Sequence, residues 1–180
     1  KTLLKAYKQL KNKLIDDPGI LRTKAEGIFK GQEVSHVAPP AENFKFLMQD
    51  LFTYYENDDD PLLIKSCEIH YEIEFIHPFL DGNGRMGRLW QTLILMSKYP
   101  VFEFLPFETI IKESQREYYN MLYHCDKVGI PSSFFEFILS AINESIHELL
   151  QTQNRLTTAK DRISYFVSIY AKNYFTRKDY

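Results

Sequence analysis

Cysteine is scarce in this sequence: 180 residues carry two, Cys67 and Cys125, with no paired spacing. That excludes a disulfide framework and a cysteine-ligated metal site, and it reads as two buried or free thiols in a reducing compartment. An excess of one charge is lacking too. The 22 Lys and Arg against 24 Asp and Glu leave a formal charge of −2, which gives no basis for general attraction to nucleic acid or to a membrane surface. No apolar run is long enough to span a bilayer, because Lys98 and Pro100 soon end the stretch Leu89–Met96, and no secretory leader is visible. Cytoplasm is the expected compartment. His70 and His77 are seven apart with Glu74 between them, but there is no H-E-x-x-H and Pro78 displaces His77 from the helix end, so a zinc site is not expected. His36, His124 and His147 read as fillers, and no repeat or low-complexity segment occurs.

What is present is 44% apolar and 26% charged residues, enough for one domain with a real core. The pattern is nearly all helical. Residues 2–15 form an amphipathic helix stopped by Pro18-Gly19, and a non-helical stretch follows at 19–41. Helices are then expected over about 42–56, 61–76, 84–98, 107–127 and 131–154, from the recurrence of apolar residues at helical spacing. Asp60 is a natural N-cap and Pro61 a natural first residue for the helix over 61–76. Gly129-Ile130-Pro131 separates the last two helices. The final one carries Phe134, Phe135, Phe137, Ile138, Ala141, Ile142, Ile146 and Leu149 on its core side.

The densest chemistry lies in twelve residues, His77-Pro78-Phe79-Leu80-Asp81-Gly82-Asn83-Gly84-Arg85-Met86-Gly87-Arg88. A helix runs in from the left and must stop near His77, because Pro78 disfavours helical backbone in the residue before it. A second helix starts just after Gly82, with Asn83 as its cap. Gly82 and Gly84 are suited to positive φ, and successive amides in such a loop point N–H groups at an anion. The macrodipole of the following helix adds partial positive charge there. Arg85 and Arg88, three apart, share one face of its first turn, where the dipole disfavours cations by roughly 0.3–1 kcal/mol each. A polyphosphate held between the two guanidinium forks explains that placement. Asp81 beside an anion site makes sense if Mg²⁺ bridges them. His77, with an ordinary pKa near ~6.5, is suited to accept a proton. The implied reaction class is transfer from a nucleotide to a hydroxyl.

At every specified position these residues resemble the signature of the Fic (filamentation induced by cAMP) family, H-P-F-x-D-G-N-G-R-x-x-R. The stretch from Leu21-Arg22 to Val34-Ser35-His36-Val37-Ala38-Pro39-Pro40 resembles the family's flap, and Met48, Asp50 and Leu51 resemble the helix after it. The similarity covers about residues 5 to 145. It implies an all-α fold, the Fic helical bundle with a small β-hairpin flap, over residues 1–155, with the flap at about 31–38 and the signature loop at 77–88. It also implies a protein adenylyltransferase that moves AMP from ATP to a Ser, Thr or Tyr hydroxyl of a target protein, which includes the protein itself. Carried over by position, His77 is the general base and Phe79 packs the loop into the core. Asp81 holds Mg²⁺. Gly82, Asn83 and Gly84 line the anion hole, with Asn83 on the α-phosphate. Arg85 meets the β-phosphate and Arg88 the γ-phosphate. Doc-type members, which act as kinases, carry Lys at the position of Gly84 and lack the second arginine, so this chain is similar to the AMP-transferring branch.

The flap residues Val34, Ser35, His36 and Val37 are expected to pair with the target's backbone by strand addition. Fic proteins are often silenced by a helix with the pattern Ser/Thr-x-x-x-Glu-Gly/Asn, whose Glu pairs with the second signature arginine. Ser140 to Ser145 approximates it, with Glu144 as the candidate, and Ser132 to Glu136 matches similarly, followed by Phe137; the commoner placement is ahead of the core helix, upstream of Lys1. Residues 157–180 have a faint basic lean, so residues 156–180 read as a C-terminal helix or linker, or as the start of a winged helix. DNA is a partner only if such a module follows. A homo-oligomer is allowed, a membrane partner is not expected, and transfer of another nucleotide or phosphate-containing group is the alternative chemistry, because nothing in the signature reads the base.

Overall fold

A computed structural model describes residues 2–10, 21–23, 27–30, 33–105, 107–155, 160 and 163–164. Among the described residues the fold is all-α apart from one hairpin. Helix α1 is Thr2–Leu10; strands β1 (Gly27–Lys30) and β2 (Glu33–Val37) follow; then come α2 (Phe44–Asn57), α3 (Leu62–Ile76), α4 (Asn83–Met96), α5 (Phe107–Glu113), α6 (Gln115–Val128) and α7 (Ser132–Arg155), with short 3-10 turns at Ala41–Asn43 and Pro100–Glu103. The later part of the first expected helix, and most of the expected C-terminal module, lie outside the described residues.

The strands pair antiparallel, with Ile28 opposite His36 and Phe29 opposite Val34. Ser35 is therefore the extra residue of a β-bulge, which kinks the strand and increases its twist. The expected helix over 107–127 is two helices, broken at Ser114, whose ψ of 26° departs from helical geometry. The expected cap of α3 is also corrected. Pro61 takes the cap position with extended ψ and no side-chain bond, while the Asp60 carboxylate accepts from the Tyr54 hydroxyl at 2.9 Å.

Helix α3 lies between two apolar clusters. On one side Cys67 and Tyr71 pack with Leu95 and with the buried residues of α5, α6 and α7. On the other, Ile69, Ile73 and Ile76 pack with Leu3, Tyr7, Met48, Leu51, Phe79, Met86 and Ile94. A helix buried on most sides has no wide polar face, which is why α3 is apolar for most of its length. On α7, Phe134, Ile138, Ala141 and Ile142 are buried as expected, but Ile146 is exposed and the neighbouring Ser145 is buried in its stead, with its hydroxyl donating to the Ala141 carbonyl at 2.9 Å.

Among the described residues the most extensive helix pairing is α3 with α4, and the two lie close together. Gly87 makes it so: a Cβ there would overlap the His70 ring and stand 3.2 Å from the His70 carbonyl oxygen. His70 is fully buried, its Nδ1 bonded to Gln91 Oε1 at 2.7 Å and its Nε2 to the Tyr118 hydroxyl at 3.0 Å.

Burial pushes the pKa of the His70 ring down to about 3, so it is neutral in the fold. The unfolded chain takes up a proton on this ring near pH ~6.5, so the stabilisation is present above that pH and drains away as pH falls toward the folded value. Between pH 8 and pH 5 the expected loss is about 2 kcal/mol from this ring. Glu72, pushed up to about 7 by burial and by the nearby Glu68 and Asp126, acts with the opposite sign from about pH 7 downward, through most of that interval. Denaturant unfolding of the wild type and of His70→Gln at both pH values isolates the histidine contribution, because the Glu72 effect cancels in the difference. The variant should lose less stability on acidification.

Candidate active site

Residues 77–82 connect the end of α3 to the start of α4, and the turn is too tight for ordinary backbone. His77 has φ 50°, the one positive-φ residue other than glycine among the described residues. A left-handed side-chain-bearing residue costs of order 1–3 kcal/mol and persists only where its surroundings hold it. Gly82, at φ 91°, supplies the second left-handed position at little cost. It is Gly82, not Asn83, that caps α4.

Asn83 has another task. Its Oδ1 accepts from the Phe79 N–H at 2.9 Å and its Nδ2 donates to the Phe79 carbonyl at 2.7 Å. The side chain thus clasps the loop on itself, and what Asn83 offers outward is the backbone of a helix's first turn, whose N–H groups have no partner within the helix. Phe79 is fully buried, and its ring stacks on Tyr7 of α1 at 3.6 Å between centroids. The Tyr7 hydroxyl also donates to the Asp81 carbonyl at 2.9 Å.

From the opposite side the loop is held by Arg22, which is buried. Its Nε donates to the His77 carbonyl at 2.7 Å and its Nη2 to the Ile76 carbonyl at 3.0 Å and to the Pro39 carbonyl. Its own backbone N–H donates to the Pro78 carbonyl at 3.0 Å.

The loop borders an open cleft of about 260 Å³. Its lining includes His77, Asp81, Gly82, Asn83, Gly84, Arg85 and Arg88, so every residue expected to act on the nucleotide reaches one cavity. The other walls are Tyr71, Glu74 and Phe75 of α3, Leu80, and Tyr119, Leu122, Tyr123 and Asp126 of α6. His77 Nδ1 lies 3.2 Å from the Glu74 carbonyl oxygen. That contact selects the neutral tautomer with the proton on Nδ1 and the lone pair on Nε2. Arg85 bonds the Asp81 carboxylate at 3.2 Å, with side chains 44% and 66% exposed. So exposed a pair contributes little and opens readily.

Gly84 departs from expectation, since it is helical with ordinary φ. Its glycine is required by space: a Cβ would stand 2.5 Å from Glu74 Oε1 and 3.2 Å from an Arg88 guanidinium nitrogen. Glu74 is buried and accepts from the buried Tyr118 hydroxyl at 2.5 Å. Burial, with the Glu74 carboxylate, raises the Tyr118 pKa well above its ordinary value.

Glu144 is exposed on α7 and is not part of the cleft. Glu74 of α3 and the Arg88 guanidinium both face the place where a Gly84 side chain would begin. The strand β2 lies against α6, which forms the cleft's far wall; the backbone of Val34, Ser35 and His36 is in that strand, and Val37 at its end is exposed.

Residues 1–95 match the Fic/DOC family. The chain belongs to that family. Among curated Fic relatives it is 34% identical over 112 residues to the protein adenylyltransferase fic-1 of Caenorhabditis elegans, covering 59% of this chain and 20% of that one. It is 31% identical over 103 residues to the protein adenylyltransferase Fic of Drosophila yakuba, covering 53% and 20%. The chain thus matches about a fifth of the length of these relatives. Among solved structures, a Fic family protein from Desulfovibrio desulfuricans G20 superposes with a TM-score of 0.78 at 40% identity, over 98% of this chain and 54% of that one. No helix of the described residues is long and apolar enough to cross a membrane.

Substituting Gly84→Ala should destabilise the fold by about 1–3 kcal/mol, because Glu74 is pinned by Tyr118 and cannot swing aside cheaply. In a Tyr118→Phe background the same substitution should cost less, with a coupling of at least about 0.5 kcal/mol. A denaturant double-mutant cycle measures it, and additive effects would contradict the pinning.

Proposed function

We propose that this Fic protein transfers AMP from ATP to a Ser, Thr or Tyr hydroxyl of a protein, releasing pyrophosphate. The observation that carries this reading is the convergence of the His77 ring, its tautomer set by the Glu74 carbonyl, with the α4 N-terminus, Arg85 and Arg88 on one cleft. The names of the curated relatives support the same chemistry.

In this reading the triphosphate lies across the first turn of α4. Its oxygens meet the backbone N–H groups at Gly82 to Gly84, and Arg85 and Arg88 take the β- and γ-phosphates. The nucleoside lies toward the aromatic wall of Phe75, Tyr119 and Tyr123, which offers stacking surface that the signature alone does not contain. The target hydroxyl attacks the α-phosphorus and gives its proton to His77 Nε2. The bond from the α-phosphorus to the bridging oxygen breaks, and that oxygen leaves with pyrophosphate. The β2 edge would hold the target's backbone beside the cleft.

Magnesium fits this donor set, since the ion is commonly bound by one or two carboxylates together with substrate phosphates and water, and Asp81 presents an exposed carboxylate at the rim. Bound there, it would neutralise charge on the phosphates.

Incubation with labelled ATP followed by mass spectrometry should find AMP on a hydroxyl of a target or of the protein itself. His77→Ala should lower the rate by at least about 100-fold while leaving the ATP-induced rise in melting temperature intact. Label surviving that substitution at full rate would remove His77 from the role of base. Arg88→Ala should shrink the ATP-induced thermal shift; an equal shift in both forms would contradict its place on the phosphates.

A further inference from the structure

Three consecutive carbonyls at the exit of α3, those of Ile76, His77 and Pro78, are all taken by one residue. Arg22 donates to the first two through its guanidinium and to the third through its backbone N–H. The same guanidinium nitrogen that meets Ile76 also meets the Pro39 carbonyl, two residues past the end of β2. Arg22 is thus a buried knot between the hairpin's exit and the backbone of His77, and it comes from a part of the chain 55 residues away from that histidine.

The physical demand for such a knot is plain. The last carbonyls of a helix have no partner within it, and a cation there is favoured by the macrodipole. His77 also carries left-handed strain, which only its surroundings can hold. A flat guanidinium fork satisfies two carbonyls of the strained turn and a third from the hairpin at once, a geometry that a lysine ammonium on a flexible stem does not reproduce. Arg22 does not line the cleft, so any effect on chemistry passes through His77.

We propose that Arg22 is the positioning residue of His77: it fixes the backbone from which the imidazole is presented and ties that backbone to the exit of the hairpin. The role of His77 itself rests on the adenylyl transfer proposed above.

The test uses the full chain with Arg22→Ala and Arg22→Lys, the second retaining charge so that a folded variant is available if the first does not fold. Two quantities are read. In the first, the carbon chemical shifts of His77 are followed by NMR, since they report its backbone conformation whether or not the protein transfers AMP. Loss of the left-handed signature in the variants is expected, and unchanged His77 shifts would overturn the proposal. In the second, transfer rate at saturating Mg·ATP is compared with the ATP-induced thermal shift. Displacement of the base should lower the rate by about 100-fold while the nucleotide is still bound with nearly unchanged affinity. A rate at wild-type level, or nucleotide binding lost in step with the rate, would reduce Arg22 to general scaffolding. A wild-type protein that transfers no AMP would instead remove the proposed activity, with the NMR result still deciding the role of Arg22.

Discussion

The structure depends on how closely α4 lies on α3. Two positions on α4 have no side chain, and at each a specific group of α3 fills the space where a Cβ would be. His70 and its carbonyl oxygen face Gly87, and the Glu74 carboxylate faces Gly84. The helices are therefore near enough that only six residues, 77–82, join the C-terminus of one to the N-terminus of the other. So short a connection forces left-handed backbone at both its ends, His77 and Gly82. The tight turn in turn brings an imidazole to the same cleft as an unpaired set of helix N–H groups.

Holding that turn requires groups that the turn does not contain. Asn83 closes it locally on Phe79. Tyr7 stacks on Phe79 and bonds the Asp81 carbonyl from α1, and Arg22 binds the carbonyls on the other side. Below it, Gln91, His70, Tyr118 and Glu74 form a buried chain of hydrogen bonds that ends beside Gly84 and Arg88. Such a chain is costly unless its members are paired, and once paired it restricts the core to one arrangement. The floor of the cleft is therefore rigid, while its rim, with Arg85 and Asp81 in an exposed pair, is adaptable.

The helical pattern was legible wherever one face is apolar for several turns. α2, α4 and α7 start and end within about two residues of their expected bounds, the scatter usual for helix termini. The break at Ser114 was not legible, because the apolar residues of α5 and α6 continue at helical spacing across it. The caps were misread for a related reason. Asp60 and Asn83 are good capping residues in isolation, but Asp60 is engaged by Tyr54 and Asn83 by Phe79. Gly84 was read as a position suited to positive φ, when its small size is demanded by a carboxylate ten residues earlier in the chain.

Twelve consecutive residues by themselves supplied the imidazole, the carboxylate and the two guanidinium groups that line one side of the cleft, because a helix end, a turn and a helix start are local structures and their chemistry travels with them. Tertiary structure decided what those groups stand against. Arg22, Tyr7, Tyr118 and the aromatic wall of α6 reach the loop from distant segments, and no spacing within the signature encodes them. Strain at His77 and the crowding at Gly84 exist only once the helices are packed, since both arise from the distance between two backbones rather than from any residue's own preference.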